Sequence, residues 1–374
     1  MNTSESPLAR RARSGKPVGV GIVGLGAHGS WAERSHLPAL RAVPGYELRA
    51  LSTSSRESAE RSGQVHGVSR AFGTAAELAA CDEVDLVVVA VKVPYHRELV
   101  ETALSAGKGV LCEWPLGNGL AEAEDMARQA RARAVPTAVG LQARSHPALA
   151  HARHLVADGY VGEVLSTTVV ASGGAWGATT APRGHYVLDA ANGATLLTIP
   201  FAHTLDALAS VLGEPEELRI RQASRRTSAV DTESGRPVPM TAADQVVASG
   251  RLPGGAVATV HYRGGSSRGT NFHWEINGTE GDLVLTAPIG QPQLSPLTLE
   301  GGRGTSTGLA PLTVPDSCVL VPHLDPRADA PAYAVAHAYR RFLDDLREGA
   351  APAVPDFAHG AARHRGIESA LATP

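Results

Sequence analysis

The feature that most constrains this chain is a glycine run placed directly behind a short apolar segment. Val18-Gly19-Val20-Gly21-Ile22-Val23 is followed by Gly24-Leu25-Gly26-Ala27-His28-Gly29. The spacing G-x-G-x-x-G is weak alone in a chain with 40 glycines, but after a strand and ahead of a helix-compatible stretch it becomes specific. There the first glycine turns the chain, the second lets a pyrophosphate approach the backbone, and the third packs helix against strand. Backbone N–H groups at the helix start then hold the phosphates.

Short apolar runs alternate with helix-compatible segments up to Gln142, the pattern of parallel strands joined by crossover helices. Strands are predicted over 18–23, 47–52, 84–91, 109–113 and 137–141. Helices are predicted from the glycine loop to about Val43 and over 55–63, 75–80, 96–106 and 120–134. This is a Rossmann-type, doubly wound parallel sheet over 18–142. Beyond it, a helix over 147–158 precedes alternating strands over 164–171, 244–252, 256–262, 272–277 and 282–285, as in an open, mostly antiparallel sheet. Residues 224–240 and 286–329 are rich in Pro, Gly, Ser and Thr and read as long loops. Helices over 332–347 and 357–370 end an α/β domain that spans 143–374. Residues 1–17 read as a flexible tail.

The length of 374 residues suits two domains. A formal net charge of −3 offers no global field for nucleic acid or anionic lipid, and 4% aromatic residues argue against a stacking surface for single strands. The longest apolar run, 84–91, is far short of a bilayer span. Cys81, Cys112 and Cys318 are odd in number and lack metal-ligand spacing, which predicts free thiols and a cytoplasmic setting. The 15 histidines form no ligand-spaced cluster, so no metal is expected, and the partner expected is a small-molecule substrate.

At the end of the second strand the chain reads Leu51-Ser52-Thr53-Ser54-Ser55-Arg56. An NAD-selective site places a carboxylate there for the ribose hydroxyls, and none is present. Hydroxyls and a guanidinium suit a 2′-phosphate, so NADP(H) is expected in preference to NAD(H). The competing reading is a solvent-facing Arg56, with Thr53 and Ser55 capping the next helix.

The segment Ala106-Gly107-Lys108-Gly109-Val110-Leu111-Cys112-Glu113-Trp114-Pro115-Leu116 resembles the Gfo/Idh/MocA oxidoreductases, whose pattern here is A-G-K-H-V-x-x-E-K-P. The resemblance extends to 24–29, to Val93-Pro94-Tyr95-His96, to 159–164, to 277–281 and to the helix over 342–349. It implies substrate bound between domains, a homodimer or homotetramer packed through the C-terminal sheet, and a cis bond at Trp114-Pro115. Carried over position by position, the cofactor set is 24–29 (Gly24, Leu25, Gly26, Ala27, His28, Gly29), 53–56, Val91, Lys92, His96, Glu113 and Trp114.

The departures matter more. Trp114 stands where the family carries a lysine, and Ile199 stands where a D-x-G-x-H motif carries aspartate, while His203 and Asp206 remain. Neither Trp nor Ile transfers a proton. The chain thus resembles a divergent E-W-P branch that includes a yeast regulator which binds NADP without acting as an enzyme. Lys92, at the carboxyl end of the central strand, is the first candidate acid; its alternative is a phosphate contact. His203 is the second, against a role as a core histidine. Tyr186 is a further catalytic candidate, and Asp189 beside it a substrate contact, against plain loop packing. His28 and Trp31 could border the nicotinamide, His36 caps or packs its helix, and Trp31, Trp176, Ile199 and Phe201 with Trp114 imply an apolar substrate cavity. Three functions fit: an NADPH-dependent reductase of a carbonyl, imine or activated alkene; a cofactor-binding regulator; and a redox-neutral lyase or epimerase that retains its cofactor.

Overall fold

The computed structural model describes residues 6–349 and 352–372. They form two compact units: one holds residues up to Gln142 with 321–325 and 331–364, the other 143–320, 326–330 and 365 onward.

In the first unit six parallel strands, β1 (Val18–Val23), β2 (Tyr46–Ser52), β3 (Arg70–Phe72), β4 (Leu86–Val89), β5 (Gly109–Glu113) and β6 (Thr137–Gly140), lie in the order 3-2-1-4-5-6. Every residue of β1 and β4 is buried, which is why these strands read as continuous apolar runs. The order reverses between β1 and β4, and the crevice outside their carboxyl ends is where such sheets bind ligands.

Residues 1–17 are not simply a tail. Pro7–Arg13 forms a helix, α1, because Ser6 Oγ accepts the Ala9 N–H (3.2 Å), Pro7 starts the first turn, and Leu8 and Ala12 are buried. Leu8 lies over Gly109, where a Cβ would stand 2.2 Å from Leu8 Cδ2. Residues 1–5 lie outside the described residues.

The single helix predicted behind the glycine loop is two, α2 (Trp31–Arg34) and α3 (His36–Ala42). Pro38 cannot donate to the Arg34 carbonyl and its ring crowds that position, so the chain breaks at Ser35 (φ −120, ψ −60). The remaining helices are α4 (Arg56–His66), α5 (Ala75–Ala79), α6 (His96–Ser105) and α7 (Leu120–Ala132).

The second unit begins with α8 (Pro147–Ala157) and is built on strands β7 (Val164–Gly173), β8 (Thr179–Thr180), β9 (Glu217–Ala223), β10 (Ser228–Asp231), β11 (Pro237–Pro239), β12 (Gln245–Arg251), β13 (Val257–Gly264), β14 (Phe272–Gly278), β15 (Gly281–Ala287), β16 (Thr298–Arg303) and β17 (Ala310–Pro311), with helices α9 (His185–Leu188) and α10 (Ala202–Leu212). Eight strands form one sheet in the order 17-16-15-14-7-13-12-9, antiparallel except between β7 and β13. Val169, Ala171, Val260, Tyr262, Trp274 and Leu285 alternate onto its buried face. The supposed loops are corrected here. Residues 224–240 contain β10 and β11, which with β8 form a second small sheet, and 286–329 contain β16 and β17. Prolines are tolerated in the edge strand β11, and Gly301 and Gly302 hide the alternation of β16.

The stretch Ala190–Leu212 is long and apolar enough to cross a bilayer, and most of it is buried inside this unit. Within α10 even Asp206 is fully buried, held by the Arg144 guanidinium through Nε–Oδ2 (2.8 Å) and Nη2–Oδ1 (3.0 Å).

The last helices are α11 (Ala330–Glu348) and α12 (Phe357–Ala372). The sequence placed 332–370 with the second domain, yet 331–364 pack on the first unit. The Tyr46 hydroxyl donates to the Tyr339 carbonyl (3.0 Å), Tyr339 Oη lies 2.8 Å from His36 Nδ1, and Leu343 covers Gly45.

Removing one partner of a buried ion pair leaves the other charge without compensation, so Asp206→Ala should destabilise the second unit by about 3–5 kcal/mol. Urea unfolding followed by circular dichroism checks this; an unchanged midpoint for that transition contradicts it.

Candidate functional site

A cavity of about 520 Å³ opens at the carboxyl ends of β1, β2 and β4. Of the residues expected to bind cofactor, Gly24, Gly26, Thr53, Ser54, Val91 and Lys92 line it. Gly24 adopts φ +99, and a Cβ there would stand 2.5 Å from the Ala90 carbonyl oxygen, so only glycine makes this turn. Gly26 differs: its missing Cβ would meet nothing closer than Ser30 Cβ at 3.6 Å, and the empty space faces a lined cavity. The loop is tied down by Gly24 N–H to the Ser52 carbonyl (2.9 Å) and by His66 Nε2 at 3.0 Å from the Gly26 carbonyl.

The fit of a dinucleotide can be judged from polar groups without partners. Ser52 belongs to the cavity wall, and its Oγ is fully buried with no protein hydrogen-bond partner among the described residues. A buried hydroxyl in that position is costly unless a ligand completes it. Together with the Gly26 gap, the residues present fit a dinucleotide.

Other loop residues play supporting parts. The Leu25 side chain is core and its carbonyl accepts Ser62 Oγ–H (2.6 Å). The Gly29 N–H donates to the Glu33 carboxylate, while Ser30 Oγ accepts the Glu33 N–H (3.1 Å), a capping-box arrangement at the start of α2. Ala27 is half-buried and His28 exposed, and neither lines the cavity. Trp31 begins α2, packed edge-on to His36 with ring centroids 6.4 Å apart.

At the end of β2, Ser55 caps α4 by accepting the Ser58 N–H (3.2 Å), and Thr53 Oγ1 donates to the Ser55 carbonyl (3.1 Å). Arg56 points away from the cavity, donating through Nη1 to the Ala71 carbonyl and through Nη2 to Glu77 (2.8 Å each). The capping geometry set against the 2′-phosphate reading is thus what this structure holds.

Three expected cofactor contacts are structural. His96 is buried, with Nδ1 2.9 Å from the Pro115 carbonyl oxygen and Nε2 3.1 Å from that of Val91, so it ties the end of β4 to the loop after β5. Burial lowers its pKa in spite of these acceptors. Glu113 Oε1 lies 3.2 Å from His36 Nε2, making the chain Glu113–His36–Tyr339, rather than facing the cavity. The Trp114–Pro115 bond is cis, as the resemblance implies, and the Trp114 ring is buried against His364 with centroids 4.6 Å apart. Burial pushes the His364 imidazole down to about 4, so it meets Trp114 as a neutral ring.

In the second unit several supposed substrate residues are core or cap. Trp176 is buried and donates Nε1–H to the Val187 carbonyl (2.9 Å), and Phe201 is buried edge-on to Tyr262. Asp189 caps a short turn by accepting the Ala191 N–H (3.1 Å) and the Thr241 hydroxyl (3.1 Å). Ile199 is half-buried in a π-turn over Leu197–Phe201, His203 is buried on α10, and Tyr186 is half-buried on α9. The position in place of the motif aspartate is therefore half-closed and apolar.

Sequence reasoning missed the cavity's far wall, Tyr95 in the turn ahead of α6, Glu98 and Leu99 on α6 and Ala75 on α5, together with Ser52 and Ser58. The i, i+3, i+4 spacing of Tyr95, Glu98 and Leu99 was the available signal. Among the described residues no group of His, Cys, Asp and Glu is arranged to hold a metal, and all three cysteines are free.

Comparison with known proteins accords with this geometry. Residues 18–141 match the model of the oxidoreductase family with an NAD-binding Rossmann fold, and 147–287 match the C-terminal domain of Gal80p. The galactose/lactose metabolism regulatory protein GAL80 of Saccharomyces cerevisiae is 29% identical over 325 residues, 79% of this chain and 73% of that protein. Dehydrogenase aclE of Aspergillus oryzae is 39% identical over 205 residues, 53% of this chain and 56% of that enzyme, little more than half its length. The crystal structure of a super-repressor mutant of S. cerevisiae Gal80p superposes with a TM-score of 0.84 at 25% identity over 94% of each chain. Residues 18–141 thus belong to the Gfo/Idh/MocA oxidoreductase family with its NAD-binding Rossmann fold, and residues 147–287 form a C-terminal domain of the Gal80p kind.

Proposed function

We propose that this chain is an NADPH-dependent oxidoreductase that passes a hydride to a carbonyl, imine or activated alkene of an apolar small molecule. The observation that carries this reading is the cavity itself, where Lys92 stands at its edge beside Gly24, Gly26 and the unpartnered Ser52 hydroxyl. Gly24 and Gly26 would admit the pyrophosphate, and Ser52, Thr53 and Ser54 would take the ribose. The reduced nicotinamide supplies the hydride when bound. Lys92 then either donates a proton to the developing oxyanion or holds the cofactor. His203 and Tyr186 stay candidates for proton transfer by motif and position. Trp114 and Ile199 favour an apolar substrate over a sugar, since they replace the groups that would bind hydroxyls.

Preference for NADPH rests on the absence of a carboxylate among residues 52–56 and on the hydroxyls of Thr53, Ser54 and Ser58 near the start of α4. Arg56 reaches a 2′-phosphate only by leaving Glu77. That exposed pair is worth about 0–1 kcal/mol, less than a charge-assisted bidentate phosphate contact offers. The second unit's sheet leaves Val170, Val247 and Val257 on its outer face, which supports pairing with a second copy into a homodimer or homotetramer.

A second reading is supported by the similarity to GAL80 over most of the chain and by the loss of the lysine and aspartate at Trp114 and Ile199. In it, cofactor occupancy regulates a protein partner. The two part at turnover: a regulator binds NADP and consumes none.

The glycines give a paired test. Gly26→Val fills the open cradle and should weaken NADPH binding at least about tenfold, measured by fluorescence titration, with an unchanged melting temperature. Gly24→Ala meets the Ala90 carbonyl in a positive-φ backbone and should lower the melting temperature. Unchanged NADPH affinity in Gly26→Val contradicts the site. In the same titration, unmodified protein that binds NADH more tightly than NADPH contradicts the cofactor preference.

Lys92→Met separates the two roles of the lysine. As proton donor it should lower kcat by about 10²-fold or more with little change in NADPH affinity, whereas as a cofactor contact it weakens affinity first. Unchanged kcat and affinity in steady-state assays remove Lys92 from the site.

A further inference from the structure

We propose that the outer face of the eight-stranded sheet binds a second copy of this chain in a register set by charge: a half-turn about β7 lays β9 of each copy over β16 of the other. The inference rests on the homo-oligomer reading above and gives that assembly an axis and an ion-pair code.

The face follows from the alternation along the strands. Val169, Ala248, Val260, Trp274 and Leu285 are buried, so the residues between them point to the other side. There Val247 is 46% and Val257 52% exposed, and Arg219, Ser249 and Thr259 are exposed as well. From β9 to β16 the face spans six strand spacings, about 29 Å. With strands of about 20 Å, two copies cover ~1,200 Å² between them, above the ~1,000 Å² that a specific interface needs.

Cross-strand register puts unlike charges at opposite ends of this face. Arg219 on β9 and Glu300 on β16 lie in one row, three strands to either side of Thr168 on β7. In the next row Arg251 on β12 and Asp282 on β15 lie two strands to either side of Ser166 on β7. The half of the face on β9, β12 and β13 carries Arg219, Arg221, Arg251 and Arg263 against Glu217 alone. The half on β14, β15 and β16 carries Glu275, Asp282 and Glu300 and no lysine or arginine. Arg303, the cation of β16, lies on the opposite side, 5.8 Å from the centroid of the Tyr160 ring.

These charges choose between the two ways in which a sheet can meet its own face. A twisted sheet keeps its shape under a half-turn about its central strand and under one about a line across the strands, so shape admits both. The half-turn across the strands lays β9 on β9 and β16 on β16, arginine against arginine and glutamate against glutamate. The half-turn about β7 lays Arg219 over Glu300 of the second copy and Arg251 over its Asp282, each contact made twice by symmetry. It also brings Val170 of both copies together at the centre, where β7 meets β7. Complementary potentials of this kind fix register and reject the wrong pairing.

The test uses the full chain, with Arg219→Glu, Glu300→Arg and the two changes combined in one chain, each compared by sedimentation equilibrium with the unmodified protein. Each single reversal sets like charge on like twice per dimer and should weaken self-association at least about tenfold. The combined variant reverses the pair without breaking it and should recover the association. Melting temperature and NADPH affinity, which the first unit sets, should stay unchanged in all three. A dimer that neither single variant weakens overturns this axis and leaves the homo-oligomer reading standing. Weakening by both single variants with no recovery in the combined one overturns the pairing of Arg219 with Glu300. Unmodified protein that stays monomeric at every concentration loaded overturns both readings and leaves the face to a different partner.

Discussion

The structure depends on how closely the backbone can pass itself at the carboxyl end of β1. At Gly24 the chain turns with φ +99 directly beside the Ala90 carbonyl, at a distance that excludes any side chain. That approach sets the ends of β1 and β4 side by side where the strand order reverses, and the cavity is the space left over. The Gly26 gap, the buried Ser52 hydroxyl and Lys92 at the rim all follow from this one turn.

Around that turn, buried polar groups do the positioning. His96 bridges the end of β4 to the cis-proline loop, and Glu113, His36 and Tyr339 connect β5, α3 and α11 by hydrogen bonds at 3.2 and 2.8 Å. Such networks rigidify when every member is satisfied and are costly when one is removed. They explain why residues near a cofactor motif need not touch the cofactor. Trp114, in place of the motif lysine, is spent on packing against His364, so the proton for any reduction has to come from another group.

The doubly wound sheet was legible because each strand is a short apolar run and the glycine loop sits at the end of the first. The limits of β5 were readable to the residue, since Gly109 and Glu113 bracket a run of three apolar positions. What escaped had physical reasons. Pro38 broke a helix whose apolar spacing continues across the break, Pro237 and Pro239 disguised an edge strand, and α10 is buried almost all round, with polar His203, Thr204 and Asp206 inside the core. At the site, backbone-determined residues such as Gly24 and Gly26 were readable from spacing, whereas the orientations of Arg56, Trp176 and Phe201 were not. The direction of an arginine or the depth of an aromatic ring is fixed by tertiary partners, here Glu77, Val187 and Tyr262, that lie far away in the chain.

The most direct measurement of hydride transfer is isotopic. NADPH carrying deuterium at nicotinamide C4, prepared as each epimer, would be supplied with the substrate panel and the products analysed by mass spectrometry. One deuterium per product from one epimer alone, bound to carbon and resistant to exchange, is the predicted result. Tight NADPH binding with no deuterium in any product would contradict it and leave the cavity as a sensor's site.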